Sequence, residues 1–241
     1  MSNLIQSAKE NLEFLGVCLL VIVVIFAAAV LAEKWLRKNN QLPRSVSPAR
    51  RVAIVGLFSA ISGVLMYFEV PLWFAPSFYE LDFSEIPVLI CGFSMGPIAG
   101  VAAELCKVLI KLLLKGTSTA FVGDLANFLV GCALVLPATI VYFHRKNKKM
   151  AVAGLAVGTL VMTVFGSVFN AFYLIPKFSQ LFGMPLDVIV GMGTAVNPSI
   201  HSVWTLVLFA VVPFNLLKGV IVSVITMLLY KHISPILKGQ H

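Results

Sequence analysis

The chain has 241 residues, 59% of them hydrophobic and only 12% charged, against roughly 25% charged in an ordinary soluble domain. A mean hydropathy of +0.98 leaves too little polar surface to coat a water-soluble globule. A soluble enzyme, a secreted disulfide scaffold and a disordered tail are thereby disfavoured together, and an all-α integral membrane protein is expected. The net charge of +8 is segregated: most basic residues fall in 34–51, in 145–149 and at Lys231 and Lys238, while Glu69, Glu80, Asp82 and Glu85 share one segment. In a membrane protein that pattern marks cytoplasmic loops, so it is read as topology and not as a nucleic-acid patch.

A membrane-spanning helix needs about 20 mostly apolar residues. The first such run is 15–32, with acidic residues and Lys9 before it and strong positive charge behind it. A signal peptide carries its positive charge in front, so this is expected to be a retained helix with its N-terminus outside. Residues 33–51 read as a basic cytoplasmic linker in which Pro43 and Pro48 discourage a continuous helix. A second run, 52–68, carries Gly56, Ala60 and Gly63 on a common face, where small side chains let backbones approach. The acidic, aromatic stretch 69–85 follows outside.

The run 86–96 is apolar but short, and Gly96-Pro97 breaks it before another helix at 98–114. A polar turn at 115–120 leads to a full span at 121–143, then a span at 150–175 and a loop at 176–198 holding a short apolar piece at 186–190. The last span is 203–230, interrupted by Pro213, with the C-terminus cytoplasmic. The domain reading is therefore an extra N-terminal transmembrane helix and linker, 1–51, before a six-helix membrane domain, 52–241. Cys18, Cys91, Cys106 and Cys132 lie in apolar runs without CxxC spacing, which points to neither a metal nor a disulfide framework.

Ionisable residues inside membrane segments are costly and are functional candidates by default. Glu104, Lys107 and Lys111 share one helical face, either as an internal ion pair or as a wet face for a ligand or partner. Asp124 and Asn127 lie three apart, and Asp124 could cap its helix. Asn170 and Tyr173 share the outer end of another helix on the same spacing. Asn215 and Lys218 lie three apart just after Pro213, where an amide and an ammonium together would suit a planar hydrogen-bonding ligand; snorkelling of Lys218 is the alternative. These positions suggest a pocket open to the outside; the aromatic loop from Trp73 to Tyr79 would either cover it or form an aromatic belt at the membrane interface. No phosphate-cradling GxxxxGK[ST], HExxH or GxSxG motif is present.

Five motifs then follow in order: Asp82-Phe83-Ser84-Glu85-Ile86-Pro87, Gly96-Pro97-Ile98-Ala99-Gly100-Val101, Gly123-Asp124-Leu125-Ala126-Asn127-Phe128, Asn170-Ala171-Phe172-Tyr173-Leu174-Ile175-Pro176 and Pro213-Phe214-Asn215-Leu216-Leu217-Lys218-Gly219. Over about residues 50–235 the chain resembles the riboflavin-specific substrate-binding (S) subunits of energy-coupling factor (ECF) vitamin transporters. The resemblance implies a six-helix fold with an outward-facing vitamin site beneath an external loop, and the protein as a transport subunit without a cofactor of its own. It implies that Asn215 and Lys218 hydrogen-bond the flavin, that Asn170 contributes from the neighbouring helix, and that Asp82 and Tyr79 lie near the site. Gly56-xxx-Ala60 matches the family's small-residue contact with a transmembrane coupling subunit, with glycine where alanine is usual. Two cytoplasmic ATPases would use ATP through that subunit, toppling the S subunit to release riboflavin inside the cell.

Two features depart from the family pattern: the helix at 15–32 precedes the six-helix core, and Asp124 stands where glutamate is expected. Rival readings are the same fold with another vitamin or a modified flavin (FMN or FAD), a membrane enzyme using Glu104, Lys107 and Asp124, and a purely structural membrane partner.

Overall fold

The computed structural model describes residues 12–39, 41–42, 47–76 and 78–238. Lys9, Glu10 and Pro43, invoked above for topology and the linker, lie outside the described residues, as do the side chains of Lys231 and Lys238. The described residues are helical almost throughout. Helix α1 (Leu12–Lys38) is followed by α2 (Pro48–Leu65), a two-stranded antiparallel hairpin of β1 (Val70–Pro71) and β2 (Glu80–Leu81), α3 (Glu85–Met95) and α4 (Pro97–Lys115). Then come α5 (Val122–Arg145), α6 (Lys148–Phe169), α7 (Ile175–Phe182), α8 (Leu186–Thr194), α9 (Val203–Leu206) and α10 (Val212–Lys238).

Among the described residues, five runs are long and apolar enough to cross a membrane: 14–38, 48–65, 122–145, 148–182 and 203–230. The two remaining core helices depart from that rule for separate reasons. At 11 residues, α3 rises only about 16 Å, and α4 carries Glu104, Lys107 and Lys111. Both pack into the core instead: from Glu85 to Met95 every residue of α3 except Ser94 is buried, and α4 buries its first turns together with Glu104, Lys107 and Val108. Gly96, at φ 104°, reverses the chain between them, a backbone conformation that a side chain would strain.

Apolar transfer does not drive helices together in lipid, so close packing of small residues must. A Cβ on Gly154 or Gly158 of α6 would lie 2.5 Å from a carbonyl oxygen of α5, that of Ala138 or Leu134. Gly92 and Gly100 bring α3 and α4 together in the same way, leaving no room for a Cβ at Gly100 beside Val135. The core built on these contacts joins Leu89, Phe93, Leu134, Met162 and Val222 around α3.

Several boundaries differ from the sequence reading. Helix α1 runs through Lys38, so the first part of the expected linker is helical. Pro48 starts α2 instead of discouraging it: it occupies the first turn behind a Ser47 cap, where a missing N–H costs nothing. The segment after Pro176 is helix α7, not loop. Pro213 does not interrupt its helix.

A common device explains both prolines. Asn170–Leu174 and Val207–Val211 are π-helical turns, each ending two residues before a proline. The wider turn shifts the hydrogen-bond register ahead of the residue that cannot donate, so the helix continues. Such turns concentrate at functional sites.

Candidate functional site

The two π-helical turns meet beneath the hairpin loop, and the polar residues of three segments converge there. Lys218, on the second turn of α10 and 6% exposed, donates to Asp82 Oδ2 at 2.8 Å and lies 4.0 Å from Glu85 Oε1. Lys218 therefore points inward at carboxylates and does not snorkel. Asp82, just past β2, is also held by the amide of Ser84 at 2.8 Å and by its hydroxyl. Burial alone would raise the Asp82 carboxyl, but the charges of Lys218 and Lys107 outweigh it and hold the group below the usual carboxylate range.

Asn170 opens the first π-helical turn. Its amide donates to Gly166 O at 2.8 Å and its Oδ1 accepts from the Tyr79 hydroxyl at 2.7 Å. Tyr79 belongs to the loop, and its ring lies 5.6 Å from that of Phe214 on α10. Burial pushes its phenol above the ordinary value, so the hydroxyl remains a donor. Asn215 packs against Gly166, where a Cβ would come 3.1 Å from its Nδ2. It is 4% exposed and is the exception in the cluster: its side chain has no hydrogen bond within the described residues, although a buried amide ordinarily finds one.

Five of the sequence-predicted residues, Tyr79, Asp82, Asn170, Asn215 and Lys218, are thus brought together. Tyr173 is not. It stacks on Phe169 at 5.1 Å and faces a separate cluster with Val122, Ala126 and Leu174. The expectation that Asn170 and Tyr173 share a face assumed ordinary α-helical periodicity, and the π-helical turn breaks it. Asn127 is half-buried on α5 with no side-chain hydrogen bond among the described residues. Asp124 does not cap its helix: the capping position is Phe121, without a side-chain bond. Asp124 instead binds Lys111 at 2.6 Å and the Thr117 hydroxyl at 2.8 Å.

Behind the cluster runs a chain of buried charge that the sequence reading saw only in part. Lys107 Nζ lies 2.6 Å from Glu104 Oε1 and 2.9 Å from Glu85 Oε1, and Glu85 connects in turn to Lys218. The Glu104–Lys107 pair is internal, as one of the two readings of that face held, and both residues are fully buried. Glu85 was missed as a member; its only signal was its place in the Asp82–Pro87 motif, directly before the apolar run. Ion pairs so deep are weak stabilisers but strongly penalise any arrangement that parts them, so the chain fixes how the loop and α3, α4 and α10 meet. Among the described residues no group of side chains is disposed to hold a metal ion.

Gly56 and Ala60 sit elsewhere, exposed on the outer face of α2, and no atom lies within 4 Å of a Cβ at Gly56. Helix α1 packs instead on α4 and α5, through Cys18, Ala29, Val101, Val108, Leu125 and Phe128.

Residues 50–230 match the family model for the substrate-specific component of ECF transporters. The chain belongs to this family. Helix α1 lies outside the match. Among its relatives, the riboflavin transporter RibU of Staphylococcus aureus is 30% identical over 83% of this chain and 98% of the relative. The riboflavin transporter FmnP of Bacillus subtilis is 27% identical over 79% of this chain and 95% of the relative. A solved structure described as the S component of a bacterial ECF transporter superposes with a TM-score of 0.61 at 32% identity. That match covers 80% of this chain and 99% of the other. The membrane-embedded, all-helical S-component fold expected from the sequence is the fold observed.

Proposed function

We propose that this protein is a riboflavin-binding S component that captures the vitamin outside the cell and releases it inside. The observation that carries this reading is the unspent amide of Asn215, buried beside Asn170 and Lys218 where no described residue satisfies it. A flavin ring edge alternates carbonyl acceptors with an N–H donor, which two amides and an ammonium can meet in one plane. Tyr79 and Phe214 supply aromatic surface beside it, as small-ligand sites commonly combine apolar walls with a few directed polar groups. The names of the relatives support the same ligand. Because Asp82 and Tyr79 tie the loop to Lys218 and Asn170, a bound flavin must share or displace those contacts.

The expected partners are a transmembrane coupling subunit, meeting α2 at Gly56 and Ala60, and two ATPase subunits that supply energy by ATP hydrolysis. The open surface at Gly56 supports that contact. Two basic corners lie at one end of the molecule, since Gln41 after α1 reaches His144 at the α5–α6 corner at 3.1 Å. Positive charge there supports a cytoplasmic placement, with the Asp82 loop and the N-terminus outside.

The test is titration of the purified protein with riboflavin, followed by quenching of flavin fluorescence, with FMN, FAD and other vitamins as competitors. Saturable one-to-one quenching that riboflavin displaces best is expected. No quenching in folded, flavin-stripped protein would refute the assignment of the ligand.

A further inference from the structure

A groove of about 1000 Å³ runs between α6 and α10, lined by no residue of the Asn215 cluster and none of α2. Its walls carry Val152, Leu160, Val220 and Val224, each more than half exposed. Thr159 and Ser223 lie along it, and among the described residues no carboxylate lines it. Lys146, Asn147 and Lys148 close one end, where the hydroxyls of Tyr142 and Tyr230 pair at 2.8 Å. That end is the basic α5–α6 corner.

Two quantities say what fits. From Lys148 to Leu160 the helix rises about 18 Å, while half of a typical hydrocarbon core is about 15 Å. The groove therefore begins at headgroup height and ends near the bilayer midplane, one leaflet deep. Its polarity is one-sided in the same sense: cations at the interface end and almost nothing but apolar surface beyond. A partner helix would not need that asymmetry, whereas a phospholipid has it. Basic pockets between helices at the cytoplasmic surface suit anionic headgroups.

We infer that this groove is a binding site for one anionic phospholipid of the cytoplasmic leaflet. An acyl chain would lie along Val152, Ala156 and Val220, and the phosphate would meet Lys146 and Lys148. The inference does not depend on which vitamin the protein binds.

The test is native mass spectrometry of the full chain in detergent, with phosphatidylglycerol and phosphatidylcholine of identical acyl chains at equal concentration. Near the surface each lysine favours an anionic lipid about fivefold, so the two together predict a preference of about 30-fold for phosphatidylglycerol. The Lys146→Asn/Lys148→Gln variant should bring the two lipids close to parity; asparagine suits the left-handed backbone at residue 146, φ 43°. Ala156→Trp, at an exposed position in the groove, should reduce retention of both lipids while leaving thermal unfolding unchanged. Equal retention by the wild-type protein overturns the inference. So does a preference that survives loss of both lysines, or wild-type lipid retention in Ala156→Trp.

Discussion

Asn215→Ala is the sharpest perturbation, because it separates a ligand contact from a structural one. Truncating a buried polar residue usually costs stability through the partner it abandons. Asn215 abandons none: it is 4% exposed and makes no hydrogen bond within the described residues, and its Nδ2 packs against Gly166. The substitution leaves no partner unpaired, so its cost is confined to the packing of one small side chain. The change in unfolding free energy should stay within about 0.5 kcal/mol, the range of an innocuous substitution. Riboflavin loses one or two neutral hydrogen bonds of about 0.5–1.5 kcal/mol each. Affinity should therefore fall about 2- to 140-fold, tenfold for every 1.4 kcal/mol. Flavin quenching and thermal unfolding in the same detergent read both quantities on one sample. Unchanged affinity, or destabilisation beyond about 2 kcal/mol, would show that Asn215 serves packing and not the ligand.

Lys218→Met should destabilise the protein by about 3–5 kcal/mol, because it leaves Asp82 buried without its partner. Adding Asp82→Asn should restore part of that loss, and additive losses in chemical denaturation would show the pair is not coupled. Gly56→Leu and Ala60→Leu should leave riboflavin affinity and thermal stability unchanged, since that face of α2 is exposed, yet abolish co-purification with the coupling subunit; an intact complex would refute this docking face. Glu33→Gln should cost about 1–2 kcal/mol, modest because Arg37 and Arg51 remain partly solvated, and should speed proteolysis of α1 from the core. Unaltered cleavage would mean that Glu33 does not anchor the helix.

Hydropathy made the spans legible, since an unbroken apolar run long enough to cross a bilayer rarely occurs in a water-soluble fold. Shorter features were not. The hairpin pairs only Val70 with Leu81 and Pro71 with Glu80, too little sequence to show alternation, and α7 was hidden by Pro176. That proline reads as a helix end, and only the preceding π-helical turn, which has no sequence signature of its own, lets the helix continue. The same turn explains why Tyr173 parts from Asn170. Asn215 and Lys218 were visible as polar residues inside an apolar span, and Asp82 and Tyr79 through the motif and the loop around it. Glu85 was not, because its partners come from α4 and α10, and pairing across distant segments leaves no local trace.

Helix α1 adds a constraint that its position makes intelligible. A seventh helix laid over α2 would cover Gly56 and Ala60 and block any coupling partner there; α1 packs instead against α4 and α5. It also reaches α2, where Leu36 joins the core cluster that holds Phe58 and an ion pair ties the two helices. Glu33, 2% exposed, binds Arg51 at 3.0 Å, Arg37 at 2.8 Å and the Ile98 amide at 3.4 Å. A carboxylate at the N-terminus of α4 is favourably placed against that helix's dipole, and Arg51 lies in the first turn of α2. One side chain thus ties the added helix to the starts of two core helices at the basic end, where the hinge glycine Gly96 turns the chain. The outer face of α2 at Gly56 and Ala60 remains exposed, so the brace leaves open the docking surface proposed there.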